Sequence, residues 1–270
     1  MSGNPFDWPA GPFLGLYLSI AALIFLFGFS ARAAIGPAMQ AAHELSVLEL
    51  AFLAGGARRL GDTALLSLAS GGGATIAPKG HKITVTDQAP LATLLGQPAS
   101  LPVRPDMTRQ QFQVAVKSLA TRTQERLQAL GYYPTDDQMK SFRMMVLPFV
   151  AGLLVFGMIK AFVGVERDHP IGFLIVLLVA TAFGGFALAK APARTRAGND
   201  ALQIYQDAHA RAARAPLDNE LLLAVALSGA VVLSGTAYAS VYAASQTMSG
   251  DGGGDGGGGD GGGGGCGGCS

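Results

Sequence analysis

Charged residues are scarce in this chain, and their scarcity is unevenly spread. Only 14% of the 270 residues are Asp, Glu, Lys or Arg, whereas soluble proteins carry about a quarter. The deficit is concentrated in long uncharged runs, which is how membrane-spanning helices lower the average. We therefore predict a mainly α-helical integral membrane protein.

Cysteine and histidine are also rare. Both cysteines, Cys266 and Cys269, lie in the final Gly-rich segment, so no disulfide can staple the chain before it. The four histidines are scattered without ligand spacing, and the sequence has no Walker loop, nucleophile elbow, dinucleotide fingerprint or zinc-protease motif. It offers no catalytic residue, and a non-enzymatic protein is the favoured interpretation.

Three uncharged runs are long enough to cross a membrane. The first lies between Asp7 and Arg32, within the N-terminal segment 1–31. The other two are Met144 to Val163, interrupted only by Lys160, and Ile171 to Ala189, which lie within residues 144–190 on either side of a short polar loop. About 20 residues of helix cross a hydrocarbon core roughly 30 Å thick. The first run lacks the basic start of a signal peptide, so we expect a retained span. The short loop predicts a transmembrane hairpin, and Lys160 near its tip is expected to reach the interface with its long stem.

A fourth run, residues 221–246, has two interpretations. Leu221 to Ser245 is uncharged, but the part from Ser234 onward is rich in Ala, Ser and Thr and only weakly apolar. The length favours a fourth transmembrane helix. The composition also allows a helix buried in the part of the protein outside the membrane.

The basic residues predict an orientation. Residues 32–143 hold twelve Lys and Arg and residues 190–220 hold five, which together are seventeen of the nineteen in the chain. Three alternating spans place both segments on one side, and basic loops face the cytoplasm. We therefore expect a multi-pass membrane protein with its N-terminus outside and with residues 32–143 and 191–220 in the cytoplasm.

Within the cytoplasmic segment, residues 42–87 have the element order of a winged-helix domain. Ser46 is a candidate N-cap for an apolar helix that Gly55-Gly56 interrupts, and helical spacing resumes from Arg58 to Ala69. Two short β-branched strands, one of them Lys82 to Thr86, follow around a Pro-Lys-Gly turn. We expect a small winged-helix-like α+β unit.

Nucleic acid is the less favoured partner of this unit. The candidate recognition helix carries Arg58, Arg59 and Asp62, but residues 32–143 have only twelve basic residues against eight acidic ones. Nucleic-acid-binding domains are usually more basic, and anionic lipid headgroups explain a basic surface beside a bilayer equally well. We expect membrane lipid and a protein as partners.

Two further cytoplasmic helices are predicted. Residues 107–131 have an apolar stripe that includes Phe112 and Leu127, and Arg109 is expected on the wetter side with Lys117. Residues 191–220 have helical spacing that includes His209. His43 and His209, which are each isolated, are expected to be surface or packing residues.

The tail, residues 247–270, is expected to be disordered, since polyglycine buries too little apolar surface to offset its chain entropy. It ends in Cys266-Gly-Gly-Cys269, which is a metal or thiol spacing. Zinc prefers four ligands and one chain supplies two, and a dimer would provide the full set of four. An inert or interaction tail is the favoured interpretation, and a metal at Cys266 and Cys269 is the alternative.

Several blocks of the sequence resemble a family of uncharacterised bacterial membrane proteins that end in a Gly- and Cys-rich region. The blocks are Asn4-Pro5-Phe6-Asp7 with Gly11-Pro12, the run from Leu50 to Arg59 with Asp62 to Leu65, Pro170 to Leu174 after a charged loop, and the tail itself. The resemblance implies a location in the bacterial cell (inner) membrane and a winged-helix-like cytoplasmic segment, and it implies no activity.

These observations lead to two functional hypotheses. The first is a non-enzymatic membrane scaffold or sensor whose cytoplasmic domain contacts a protein partner. The alternative is a metal- or thiol-handling membrane protein that uses Cys266 and Cys269.

Overall fold

The computed structural model describes residues 8–36, 43–77, 82–95, 101–102, 104, 106–166, 172–190, 192, 194–211 and 216–246. Its helices are α1 Ala10–Ala33, α2 Val47–Ser70, α3 Ala89–Leu95, α4 Arg109–Ala115, α5 Lys117–Ala129, α6 Asp136–Glu166, α7 Gly172–Ala189, α8 Arg196–Ala208, α9 Leu221–Ser228 and α10 Ala239–Gln246, and its strands are β1 Ala74–Ile76 and β2 Ile83–Val85.

The chain divides into two compact units. Met1–Ala38 and Pro134–Arg196 form the first, which we name the membrane unit, and Met39–Tyr133 and Ala197–Ser270 form the second, which we name the α+β unit. The chain passes from α1 of the membrane unit into the α+β unit. It then returns to the membrane unit to form α6 and α7, and it passes into the α+β unit again.

Three helices of the membrane unit are long and apolar enough to cross a bilayer. They are Gly11–Ala33, Asp136–Val165 and Gly172–Ala189, and little of each is buried within the protein. An apolar helix that is mostly exposed needs lipid around it. The three predicted runs are therefore helices long and apolar enough to span a membrane, as predicted, and they fit a membrane protein. The 31 residues of α6 also exceed the length needed to span, because Asp136 to Arg143 add two polar turns before the apolar run.

The three helices alternate in direction. At one end of the membrane unit Ile35 packs with Phe142 and Leu188, and at the other end Phe13 packs with Leu153 and Leu174. The end of α1, the start of α6 and the end of α7 therefore lie together. We name this the Ile35 end, and both chain segments that lead to the α+β unit leave the membrane unit there.

A kinked helix, α2, is the centre of the α+β unit. Ser46 and Glu49 form a reciprocal capping box at its start, and Gly55 and Gly56 leave helical geometry, so the predicted N-cap and interruption are both confirmed. Gly56 has φ +66° and ψ −162°, a combination almost confined to glycine. Most of α2 is buried by the surrounding helices.

The predicted strands form an antiparallel hairpin. Ala74 pairs with Val85, and Ile76 pairs with Ile83. On the other edge of β2, Ile83 also forms an isolated antiparallel bridge with Met107. The order of two helical segments followed by two strands is therefore as predicted. The turn at residues 78–81 lies outside the described residues, and the winged-helix relationship stays a prediction.

The predicted helix over residues 107–131 is present as two consecutive helices, α4 and α5, which meet at Val116. Its apolar stripe is buried as expected, with Phe112 and Leu127 both inaccessible to solvent. Arg109, which we expected on the wetter side, is only 2% exposed, so that prediction is wrong. Arg109 precedes Phe112 by three residues and therefore lies on the same buried face of α4.

The fourth predicted span is not formed. Residues 221–246 are divided into the eight-residue α9, a 3-10 turn at Ala230–Leu233 and the eight-residue α10. Gly229 ends α9 with φ +92° and ψ 174°, which a continuous helix cannot accommodate. Eight residues of helix span about 12 Å, well short of a bilayer. The buried-helix interpretation is the correct one, because these segments share the hydrophobic core of α2.

Candidate functional site

The charged residues of the candidate recognition helix all contact protein atoms. The carboxylate of Asp62 forms a buried ion pair with the guanidinium of Arg109. Nη1 of Arg59 donates to the carbonyl oxygen of Leu227 at 2.8 Å, and Nη2 of Arg58 donates to that of Ser245 at 2.9 Å. We name these four side chains the arginine cluster.

Burial dominates the electrostatics of the ion pair. Desolvation raises the pKa of Asp62 above its ordinary value even though Arg109, Arg58 and Arg59 all act to lower it. Desolvation likewise lowers the pKa of Arg109, and Asp62 only partly opposes that shift. The ionised form of each residue is therefore stabilised in the fold mainly by its partner. This is typical of a buried pair whose desolvation cost rivals its attraction.

Arg58 and Arg59 fasten the last part of the described chain to α2. Leu227 and Ser245 lie in the last turns of α9 and α10, where helix carbonyls have no partner within the helix and the helix dipole favours a cation. Each arginine satisfies one of these carbonyls. The arginine cluster thus links α2, α4, α9 and α10, and its chemistry is that of a structural junction.

His43 and His209 pack against tyrosines. A ring nitrogen of His43 lies 3.3 Å from the hydroxyl of Tyr132, and the ring of His209 stacks on that of Tyr205 at 6.4 Å between centroids. The hydroxyl of Tyr205 accepts from the backbone N–H of Leu45 and donates to the carbonyl of His43. These contacts tie α8 to the segment before α2, in agreement with the predicted packing role.

Lys160 is satisfied at the end of the membrane unit opposite the Ile35 end. Its ammonium donates to the backbone carbonyl of Trp8 at 2.9 Å and lies 5.2 Å from the centre of the Phe13 ring. A carbonyl and an aromatic face are the partners expected of a lysine that extends toward the interface.

The candidate metal ligands are not placed by the structure. Cys266 and Cys269 lie outside the described residues, so the predicted metal site remains a prediction. Among the residues that the structure describes, no group of three or more His, Cys, Asp or Glu side chains is arranged to hold a metal ion.

Sequence comparison adds no relative to this description. No protein-family model matches the chain, and neither the curated proteins nor the solved structures contain a significant match.

Sequence reasoning missed the junction formed by the arginine cluster. It recognised Arg58, Arg59 and Asp62 as a charged group but paired none of them, since Arg109 is 47 residues from Asp62 along the chain. One signal was available. Arg109 follows the N-cap Thr108 directly and shares the buried face of Phe112, where an unpaired charge would be costly.

Proposed function

We propose that this protein is a non-enzymatic scaffold or sensor of a bacterial cell membrane, whose α+β unit lies in the cytoplasm and contacts a protein partner. The observation that carries the proposal is the shared exit at the Ile35 end. A three-helix anchor whose three chain connections to one folded unit are all at the same end is suited to holding that unit at a membrane face. The sequence blocks described above support a place in the Gly/Cys-rich membrane family.

The charge distribution supports a cytoplasmic location for the Ile35 end. Near this end the described residues of the membrane unit carry six basic side chains against two acidic ones, which are Arg32, Lys140, Arg143, Lys190, Arg194 and Arg196 against Asp136 and Asp137. The opposite end carries Lys160. Basic residues beside a span favour the cytoplasmic side.

Labelling in intact cells tests this orientation. Because residues 221–246 add no further crossing, the tail belongs to the same side as the α+β unit, so Cys266 and Cys269 should be protected from a membrane-impermeant maleimide and should react after lysis. As the matched control, Val165→Cys in a Cys266→Ser/Cys269→Ser background should react in intact cells, since Val165 is exposed near the opposite end of α6. The reverse pattern of labelling would refute the orientation.

The partner surface that we propose includes the outer face of α4. Val114 is 71% exposed, although Phe112 and Ala115 of the same helix are buried. A photoreactive residue in place of Val114 should give one discrete adduct in cells. The same residue in place of Ser118, which is exposed on α5, should not. Identical adducts at both positions, or none at either, would count against a partner on α4.

The alternative function is metal or thiol handling by the tail, and the Cys266-x-x-Cys269 spacing supports it. Replacement of both cysteines by serine tests it directly. Unchanged metal content of the purified protein, together with an unchanged phenotype, would eliminate this alternative.

A further inference from the structure

Two arginines from different helices converge on the last turn of α7. Nη1 of Arg32, at the end of α1, donates to the carbonyl oxygen of Ala187 at 2.9 Å. Nε of Arg143, in the second turn of α6, donates to that of Ala189 at 2.9 Å. Both guanidinium groups are thereby held at the Ile35 end of the membrane unit, which we also call its rim. They lie beside carbonyls that α7 itself leaves without a partner.

The arginines retain hydrogen-bonding capacity after these contacts. A guanidinium has five N–H donors, and each carbonyl contact uses one. Within the described part of the chain, neither Arg32 nor Arg143 pairs with a carboxylate. Lys190 adds a third cation directly after α7, with its ammonium 5.5 Å from the centre of the Phe186 ring.

The net charge at this rim stays positive after the helix dipoles are included. The six basic and two acidic residues near the Ile35 end leave a net of four positive charges. The ends of α1 and α7 each contribute about half a negative charge and the start of α6 about half a positive one. The dipoles therefore remove only about half a charge, and the rim attracts anions.

Exposed apolar side chains lie one turn from each cation on the membrane side. Phe29 precedes Arg32 by three residues, Leu147 follows Arg143 by four, and Phe186 precedes Lys190 by four. All three are exposed in the protein. A cationic rim above a lipid-facing apolar surface matches an amphiphile with an anionic head and acyl chains, whereas a free anion would use only the rim.

We propose that Arg32, Arg143 and Lys190 form a binding site for the headgroup of an acidic phospholipid. The guanidinium N–H groups that remain after the α7 contacts bind the phosphate, for which arginine has a suitable fork geometry. The acyl chains lie along the exposed residues one turn away. The site belongs to the membrane unit alone and does not depend on which protein the α+β unit contacts.

Lipid retention tests this site. The full-length protein is placed in nanodiscs of equimolar phosphatidylglycerol and phosphatidylcholine with identical acyl chains, and the lipids that stay bound are counted by native mass spectrometry. The wild type should retain phosphatidylglycerol in preference. Each cation near an anionic surface contributes about fivefold, so Arg32→Gln/Arg143→Gln should lower the preference by roughly 5- to 30-fold. The matched control, Lys160→Gln at the opposite end, should leave it unchanged.

Several results would overturn the proposal. One is an unaltered preference in the double variant, and another is an equal loss in Lys160→Gln. A third is displacement of phosphatidylglycerol by inorganic phosphate at constant ionic strength, which would identify a free-anion site. If the double variant fails to unfold cooperatively, Lys190→Gln replaces it. Lys190 is exposed, and its loss should lower the preference about fivefold. No change in Lys190→Gln would then reject the site.

Discussion

Arg109→Met should lower the free energy of unfolding of the α+β unit by about 3–5 kcal/mol, because it leaves the buried Asp62 carboxylate without a counter-charge. The methionine fills similar space, so the loss is mainly electrostatic. Urea-dependent pulse proteolysis of the full-length protein in mild detergent measures it. Lys117→Met, an exposed position on the next helix, should change the same quantity by less than about 0.5 kcal/mol. Equal losses of stability in the two variants would refute the stabilising role of Arg109 as the counter-charge of Asp62.

The pH dependence of Arg109→Met has a definite sign. Burial already raises the pKa of Asp62 in the folded protein, and removal of Arg109 takes away the largest influence that lowers it. A group whose pKa is higher in the folded state binds its proton more tightly there, so lower pH stabilises the folded state. The defect of Arg109→Met should therefore diminish from mildly alkaline to mildly acidic buffer.

Replacing both charged residues distinguishes the electrostatic contribution of the ion pair from the packing contribution of its side chains. Asp62→Leu/Arg109→Met should be far closer to the wild type than Arg109→Met alone, because it leaves no uncompensated charge. The raised pKa of Asp62 and the lowered pKa of Arg109 both result from burial, which indicates a pair whose desolvation cost is large. A double variant as unstable as Arg109→Met would mean that Arg109 acts through its other contacts, such as the face of the Phe112 ring 5.6 Å away.

The features that sequence predicted well are those with a local cause. The three candidate spans follow from composition over some 20 residues, the start of α2 from the N-cap candidate Ser46, and its kink from two adjacent glycines. Each of these depends on residues within a turn or two of one another. Local propensity therefore suffices for them.

The arginine cluster and the fate of residues 221–246 depend on distant contacts. Nothing near Arg58 or Arg59 indicates that they bind the ends of α9 and α10, which follow more than 160 residues later. Hydropathy likewise measures how apolar the final run is, and a buried helix and a membrane helix can be equally apolar. What separates them here is the positive φ of Gly229 and Gly235, which glycine permits but does not require.

Leu233→Ala should lower the free energy of unfolding of the α+β unit by about 2–5 kcal/mol, since Leu233 is wholly buried in the core that contains α2 and its truncation leaves a cavity. Val231→Ala should cost less than about 0.5 kcal/mol, because Val231 is 57% exposed two residues earlier. Pulse proteolysis in urea measures both. In a lipid-facing span, acyl chains would fill the space left by either truncation and both losses would be small. A large loss confined to Leu233 is therefore the result that distinguishes a protein core from a fourth membrane helix.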